Sequence, residues 1–298
     1  MAVKAGEERN RFPALVLVLV LVDSGHYIFG RLLAPYLPPV ASSFYYISLA
    51  LIQVALYAAW MRRIDWRLLR DNLPFFLAIG FLIAASTSSS FAALFYIDPG
   101  TAALLTQSGT IFSLALGILW LKDRLTRGQT LGAALAVAGI MVISFQPGSE
   151  GSQSLIGASL VLFSAFTYAL HAAIVKRHGE AMDFLNFFLF RMLATSGFLF
   201  LFSAASGELV WPQGWQVWVI LLLTATINVT LSRALYYIVL RRMDLSVFTI
   251  LLTLSPVVTI LWSILLFGER PTWQGLVGGA AVISGVVLVT VFRPQNVH

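Results

Sequence analysis

The chain alternates between long apolar stretches and short polar breaks. Ten stretches are each close to the ~20 residues a helix needs to cross a bilayer. They run roughly over 13–33, 39–60, 74–97, 99–121, 127–145, 155–176, 184–205, 214–240, 245–267 and 273–292. The breaks carry turn chemistry: Pro38-Pro39, Asp98-Pro99-Gly100, Gln146-Pro147-Gly148 and Trp211-Pro212-Gln213-Gly214. The pattern predicts an all-α integral membrane protein with ten transmembrane helices. The first run, from Pro13 to Leu33, is too long for a signal-peptide core, and no small-residue cleavage site follows it. It reads as an uncleaved first span.

The pattern also repeats. Shifted by 146 positions against itself, the chain superposes Arg31 on Arg177, Asp98 on Asp244, Arg124 on Arg270 and Thr126 on Thr272. Gly132, Ala134 and Gly139 fall on Gly278, Ala280 and Gly285 without a gap. Apolar matches would mean little in such a chain, but rare polar residues in step are specific. Two five-helix units are expected, 1–146 and 155–298. Transporters are commonly built from two such repeats with the substrate site between them.

Composition agrees: 59% of the 298 residues are apolar and 11% charged, and the mean hydropathy is +0.86. A soluble domain of this size needs far more polar surface. There is no cysteine, which excludes disulfides and thiolate metal sites. A net charge of +6 suits nucleic acid in principle, but the charges sit in short clusters between apolar runs. With the N-terminus inside, the cytoplasmic segments hold 15 of the 19 Lys and Arg, whereas the outer loops hold only Arg31 and Arg270. Both termini are therefore expected in the cytoplasm. Because each unit has five helices, the second must run upside down relative to the first. Trp60, Trp66, Trp120, Trp211, Trp215, Trp218 and Trp273 lie near span ends, as interfacial anchors do.

In the ninth and tenth spans the chain reads Ser255-Pro256, then Leu266-Phe267-Gly268-Glu269-Arg270, then Gly278 and Gly285. The first half carries a weaker copy, Leu121-Lys122-Asp123-Arg124 with Gly132 and Gly139. With these motifs the chain resembles the drug/metabolite transporter superfamily in its ten-helix, EamA-type branch. Ser24, Tyr27, Tyr45 and Thr110 stand where that family often has tryptophan, asparagine, a basic residue and proline. The resemblance implies export of small metabolites, often amino acids, across the bacterial inner membrane. Size and minimal tails are similar to the YddG-type amino-acid exporters.

Polar groups inside hydrocarbon are costly when unpaired, so they face a cavity or a partner helix. Span 3 carries Ser86-Thr87-Ser88-Ser89-Ser90, and its equivalents in span 8 are Ser232, Arg233, Ala234, Leu235 and Tyr236. Ser86, Ser89 and Ser90 either line a site between the repeats or tie helices together. Arg233, with Asn228 and Tyr236 nearby, could clamp a substrate carboxylate, reach the cytoplasmic interface or pair with Asp244. Asp23, His26 and Tyr27 share one helical face by spacing. The carboxylate could bind a proton or an ammonium group, or form a local pair with His26. His171 aligns beside His26, with Tyr168 on its own face. Gln107 aligns with Thr253, and both are candidates to hydrogen-bond substrate. Arg191 is expected near a span end, anchoring there or paired with Asp183 or Glu180, outside the site. Gly128 with Gly132, and Gly275 with Gly279, read as close helix packing in spans 5 and 10. Pro256 is expected to break the ninth span.

No metal, cofactor or nucleic-acid partner is expected, and a monomer would suffice for a cavity between two repeats. There is no HExxH motif and the four histidines lack ligand spacing, which argues against an intramembrane enzyme. A channel would want a ring of like groups. An organophosphate exchanger would want several cavity Lys or Arg. An organic-cation exporter shares the fold and would lean on Asp23 instead of Arg233. The expectation is alternating-access export of small zwitterionic metabolites, above all amino acids with apolar or aromatic side chains.

Overall fold

A computed structural model describes residues 15–121, 126–144, 151–178, 182–240, 251–269 and 271–292. Among them, nine helices are long and apolar enough to cross a membrane, and the apolar helix Ser255–Phe267 is shorter. The element order is α1 (Leu15–Leu33), α2 (Pro39–Trp60), α3 (Trp66–Asp71), α4 (Leu73–Ala93), α5 (Pro99–Thr106), α6 (Ser108–Leu121), α7 (Arg127–Ser144), α8 (Gly151–His178), α9 (Phe184–Ala205), α10 (Trp215–Leu223), a π-helical stretch (Thr224–Leu231), α11 (Ser232–Leu240), α12 (Ser255–Phe267) and α13 (Trp273–Val291). No strand occurs among the described residues. The protein is an all-helical, multi-pass membrane protein.

Local chemistry sets the ends. Asp98, Asp183 and Thr272 accept the backbone N–H of Thr101, Asn186 and Gly275, and so cap α5, α9 and α13. Gly268 closes α12 with φ +67°, a left-handed turn that suits glycine. The sequence pattern missed α3, a short helix capped by Asp65 and rich in exposed residues. Asn186 at the start of α9 fixes the loop before α3 by accepting from Asp65 N and donating to Arg63 O. Large apolar side chains such as Leu265, Leu131 and Leu56 point outward, as a lipid-facing surface requires. Trp60, Trp215 and Trp273 are largely exposed at helix ends.

Several spans are discontinuous where regular helices were expected. α1 has a turn at Ser24. The fourth span breaks at Gln107, where N–H groups reach back only three residues, Gln107 N to Leu104 O and Thr110 N to Gln107 O. The ninth breaks at Thr253-Leu254, with Leu254 N bonded to Leu251 O. Gln107 and Thr253 are equivalents under the 146-residue shift, so both repeats break at the same place. Pro256 is accordingly not a mid-helix kink; it sits in the first turn of α12, where its missing N–H costs nothing. The eighth span winds as a π-helix over eight residues, and Gln53 of α2 holds that stretch by donating to Thr226 Oγ1 and accepting from Thr230 Oγ1.

One apolar core joins α2, α4, α9 and α10 through Tyr46, Phe76, Ile79, Phe190 and Leu221. A second joins α5, α7, α8 and α13 through Leu105, Ile143, Val161 and Val286. α7 and α13 pack backbone to backbone. A Cβ added at Gly132 would lie 2.6 Å from Gly285 O, and one at Gly139 would lie 2.5 Å from Gly278 O. Rising numbers on α7 meet falling numbers on α13, so the two helices run antiparallel. Of the expected glycine pairs, Gly128 and Gly132 do face α13, but Gly279 faces Leu104 of α5. The glycines that seat α7 are Gly278 and Gly285.

Candidate functional site

The polar residues of α1 reach three different partners. Asp23 accepts from Ser232 Oγ of α11 at 3.5 Å and from Ser255 Oγ of α12 at 3.2 Å. His26 does not pair with Asp23. Its Nδ1 lies 3.4 Å from Asn228 Nδ2 and its Nε2 lies 3.2 Å from Ser90 Oγ. Ser90 itself donates to Thr87 O at 2.9 Å. The directions form one chain: Asn228 donates to Nδ1, Nε2–H donates to Ser90, and Ser90 donates to Thr87. A neutral imidazole protonated at Nε2 satisfies every bond. Tyr27 turns the other way and bonds Thr106, whose hydroxyl donates to Ala102 O at 2.9 Å. The turn at Ser24 separates Asp23 from the other two, so spacing alone did not predict their faces.

The serines of α4 divide by role. Ser86 donates to Ser164 O at 3.0 Å and lies 2.9 Å from Ser164 Oγ, which ties α4 to α8. Ser90 belongs to the His26 chain. Ser89 is half-buried and has no side-chain hydrogen bond among the described residues. The sequence left two readings open for this run, and for Ser86 and Ser90 the geometry is that of helix ties.

Ionisable groups on α1, α8, α9 and α11 lie within electrostatic reach of one another. Arg233 lies within electrostatic reach of Tyr168, Asp23 and Tyr236. Its guanidinium carbon is 5.8 Å from the Tyr236 ring centroid. Arg191 lies within reach of Arg233 and Tyr168, and its guanidinium sits 4.9 Å over the Phe188 ring. His171 is within reach of both guanidiniums, and its ring is 5.6 Å from that of Tyr168. Arg191 and Arg233 are each half-buried.

This corrects the expectation for Arg191. Asp183 is engaged as the cap of α9, where Asn186 bonds it. Among the described residues, the one ion pair is Arg31–Glu269. Arg191 instead lies in the body of α9 and faces the Arg233 cluster. Asp244 and Glu180, the other partners considered for the two arginines, lie outside the described residues.

The structure therefore brings together Asp23, Ser232, Arg233, Tyr168, His171 and Tyr236, with His26, Asn228 and Ser90 in a chain beside them. Gln107 and Thr253 mark the two helix breaks, and Thr253 is buried. Sequence reasoning missed Ser255, Thr106 and Arg191. Ser255 stood in the Ser255-Pro256 motif, so its hydroxyl in a broken span was a usable signal. Thr259 adds another tie, donating to Ser24 O at 2.9 Å.

The C-terminal end of α1 is fastened separately. Arg31 donates to Glu269 through Nε at 3.0 Å and to Leu94 O at 2.9 Å. This pair joins the first span to the end of α12.

The chain matches the EamA-like transporter family twice, over residues 13–145 and 155–291. It is 23% identical over 190 residues to an uncharacterized transporter, YdfC, of Bacillus subtilis, covering 64% of this chain and 62% of that protein. It is 26% identical over 217 residues to a probable terminal-alkyne amino-acid exporter of Streptantibioticus cattleyicolor, covering 65% of each. It is 31% identical over 105 residues to a probable amino-acid metabolite efflux pump of Salmonella typhimurium, covering 34% of this chain and 35% of that one. The chain thus spans less than two-thirds of the length of these relatives. A crystal structure superposes with a TM-score of 0.65 at 18% identity, covering 93% of this chain and 96% of its own.

Proposed function

Because the chain belongs to the EamA-like transporter family, we propose that it exports small metabolites, above all amino acids with apolar or aromatic side chains, across a bacterial inner membrane. The reading has both termini in the cytoplasm and two inverted repeats, 1–146 and 155–298, alternating access to a cavity between them. One observation carries it. Asp23 of the first repeat and Arg233 of the second are within electrostatic reach but form no ion pair among the described residues. Opposite charges held apart suit a ligand with an ammonium group and a carboxylate. The carboxylate goes to Arg233 and the ammonium to Asp23, with Ser232 and Ser255 orienting the latter. The breaks at Gln107 and Thr253 interrupt equivalent spans of the two halves, as in transporters with discontinuous helices. The names of two relatives agree with amino-acid export.

The rival of the same fold, an organic-cation exporter, would use Asp23 alone. A second guanidinium beside the first counts against it.

The test is uptake of radiolabelled amino acids and one organic cation into proteoliposomes, with and without a pH gradient. Saturable amino-acid uptake is expected. Arg233→Gln should lower its efficiency about 10- to 100-fold, because a charge-assisted bond is worth about 1.5–3 kcal/mol. Wild-type amino-acid uptake by that variant, or uptake of the cation alone, would sink the reading.

A further inference from the structure

We propose that the segment joining α2 to α4, from Arg62 to Arg70, is a docking site for the phosphates of anionic phospholipids. The inference rests on the membrane-spanning fold and is independent of what is transported.

Position and charge come first. α2 ends at Trp60 and α4 begins at Leu73, so the segment lies just beyond the ends of two spans. Lipid headgroups lie at that depth. Arg62, Arg63, Arg67 and Arg70 are all exposed there, in company with Asp65 and Asp71. Neither acid neutralises an arginine, since none of the four guanidiniums is in an ion pair among the described residues. Asp65 accepts instead from Arg67 N at 3.0 Å. Nearby Asp183 accepts from Asn186 N and Nδ2, and Glu180 lies outside the described residues. Each guanidinium thus presents a fork of N–H donors, the geometry that suits phosphate oxygens. Trp60 is 78% exposed and Trp66 62% exposed. Indoles beside the arginines suit the boundary between headgroup and acyl chain, which a free anion does not offer.

Juxtamembrane arginines are common, and a flexible loop would carry them equally well. This segment is rigid. α2 closes with Arg63 N bonded to Ala58 O and Arg62 N to Ala59 O, a Schellman arrangement. Arg62 takes the left-handed position, φ +51°, where glycine is usual; no other non-glycine residue among those described has a positive φ. Asn186 of α9 then holds Asp65 N at 2.9 Å and Arg63 O at 2.8 Å. Ile64, Leu68 and Leu69 pack on the first apolar core, and the Trp66 ring lies 5.6 Å from that of Phe190. Arg67 and Arg70, three residues apart on α3, share a face. Helix electrostatics do not account for Arg67: it sits in the first turn of α3, where the dipole disfavours a cation. Arginines on a fixed frame, one of them in a strained backbone position, are the mark of a preorganised site.

The experiment follows thermal unfolding of the full chain in neutral detergent. Phosphatidylglycerol, phosphatidylcholine or inorganic phosphate is added at equal phosphate concentration. Phosphatidylglycerol should raise Tm by about 3–5 °C, as a ligand of the folded state does, and each of the others by no more than about 1 °C. Arg67→Gln combined with Arg70→Gln should remove most of that shift. Lys176→Gln combined with Arg127→Gln removes the same charge from exposed positions elsewhere and should keep it. Arg62→Gly separates binding from folding: it relieves the left-handed strain, so the lipid-free Tm should not fall, yet the response to phosphatidylglycerol should shrink. No shift with phosphatidylglycerol, or an equal shift with phosphatidylcholine or with phosphate, overturns the inference. Equal loss in the two double variants also overturns it, by reducing the effect to net charge. So does an Arg62→Gly protein that unfolds earlier but responds to lipid as the wild type does.

Discussion

Substituting Gly139 with alanine tests the packing of α7 on α13. The new Cβ would lie 2.5 Å from Gly278 O and 2.8 Å from Val282 N, well inside the 3.4 Å at which ordinary contact begins. Both neighbours are backbone or close to it, so the helices themselves must separate. Overpacking of this kind costs about 1–3 kcal/mol. Alanine also favours the helix over glycine by up to about 1 kcal/mol, which masks part of the cost. A matched control removes that offset. Gly197 lies inside α9 with nothing within 4 Å of a built Cβ, so Gly197→Ala keeps the propensity gain and adds no clash. The two variants should therefore differ by about 1–3 kcal/mol, which corresponds to roughly 2–10 °C in Tm for a protein of this size. Gly80→Ala, 2.5 Å from Ala194 Cβ, should fall with Gly139→Ala, and Gly109→Ala, whose nearest neighbour is at 3.8 Å, with the control. Thermal unfolding in detergent, followed by tryptophan fluorescence, reads the order. A Gly139→Ala protein as stable as Gly197→Ala would refute the reasoning.

Other variants probe the polar groups of α1 and the Arg31–Glu269 pair. Asp23→Asn keeps the shape seen by Ser232 and Ser255 but removes the charge. Amino-acid transport should fall at least tenfold, and unchanged transport would remove Asp23 from the mechanism. His26→Ala breaks the chain from Asn228 to Ser90 and should cost about 1–3 kcal/mol of stability by stranding buried polar groups. His26→Gln, which can both donate and accept, should recover much of that in the same unfolding assay. Arg31→Ala unfastens α1 from Glu269. The pair is partly exposed, so its loss should shift the balance toward an outward-open form by no more than about fivefold, the equivalent of about 1 kcal/mol. Because the chain has no cysteine, a single cysteine placed at Tyr36 can report this as a faster labelling rate from outside.

The sequence made the architecture legible because a membrane span is a composition and a length, and both survive without knowledge of neighbours. The 146-residue echo was legible for a similar reason: Arg, Asp and Gly are rare enough in this chain for their spacing to carry information. The site was harder to read. Asp23, Arg233, Tyr168 and His171 were singled out because polar residues in hydrocarbon are conspicuous. Arg191 was equally conspicuous, yet its neighbour Asp183 in sequence offered a simpler partner, and the cap that occupies Asp183 is a fact of three dimensions. The directions of His26 and Tyr27 depended on the turn at Ser24, which no proline or glycine marks at that residue. The break at Gln107 was hidden too, since backbone bonds that reach three residues instead of four leave no trace in composition.

The contact between α7 and α13 has one further property. Applying the 146-residue shift to Gly132 and Gly285 produces Gly278 and Gly139, which is the other close pair. The contact is its own image, and a self-complementary patch is what two separate copies of one polypeptide use to form a twofold dimer. The helix pair is thus a twofold contact built within one chain: a change made on one side of it meets the same backbone environment as its equivalent on the other. Elsewhere the two halves differ, and Arg191 and Arg233 have Tyr45 and Thr87 as their counterparts.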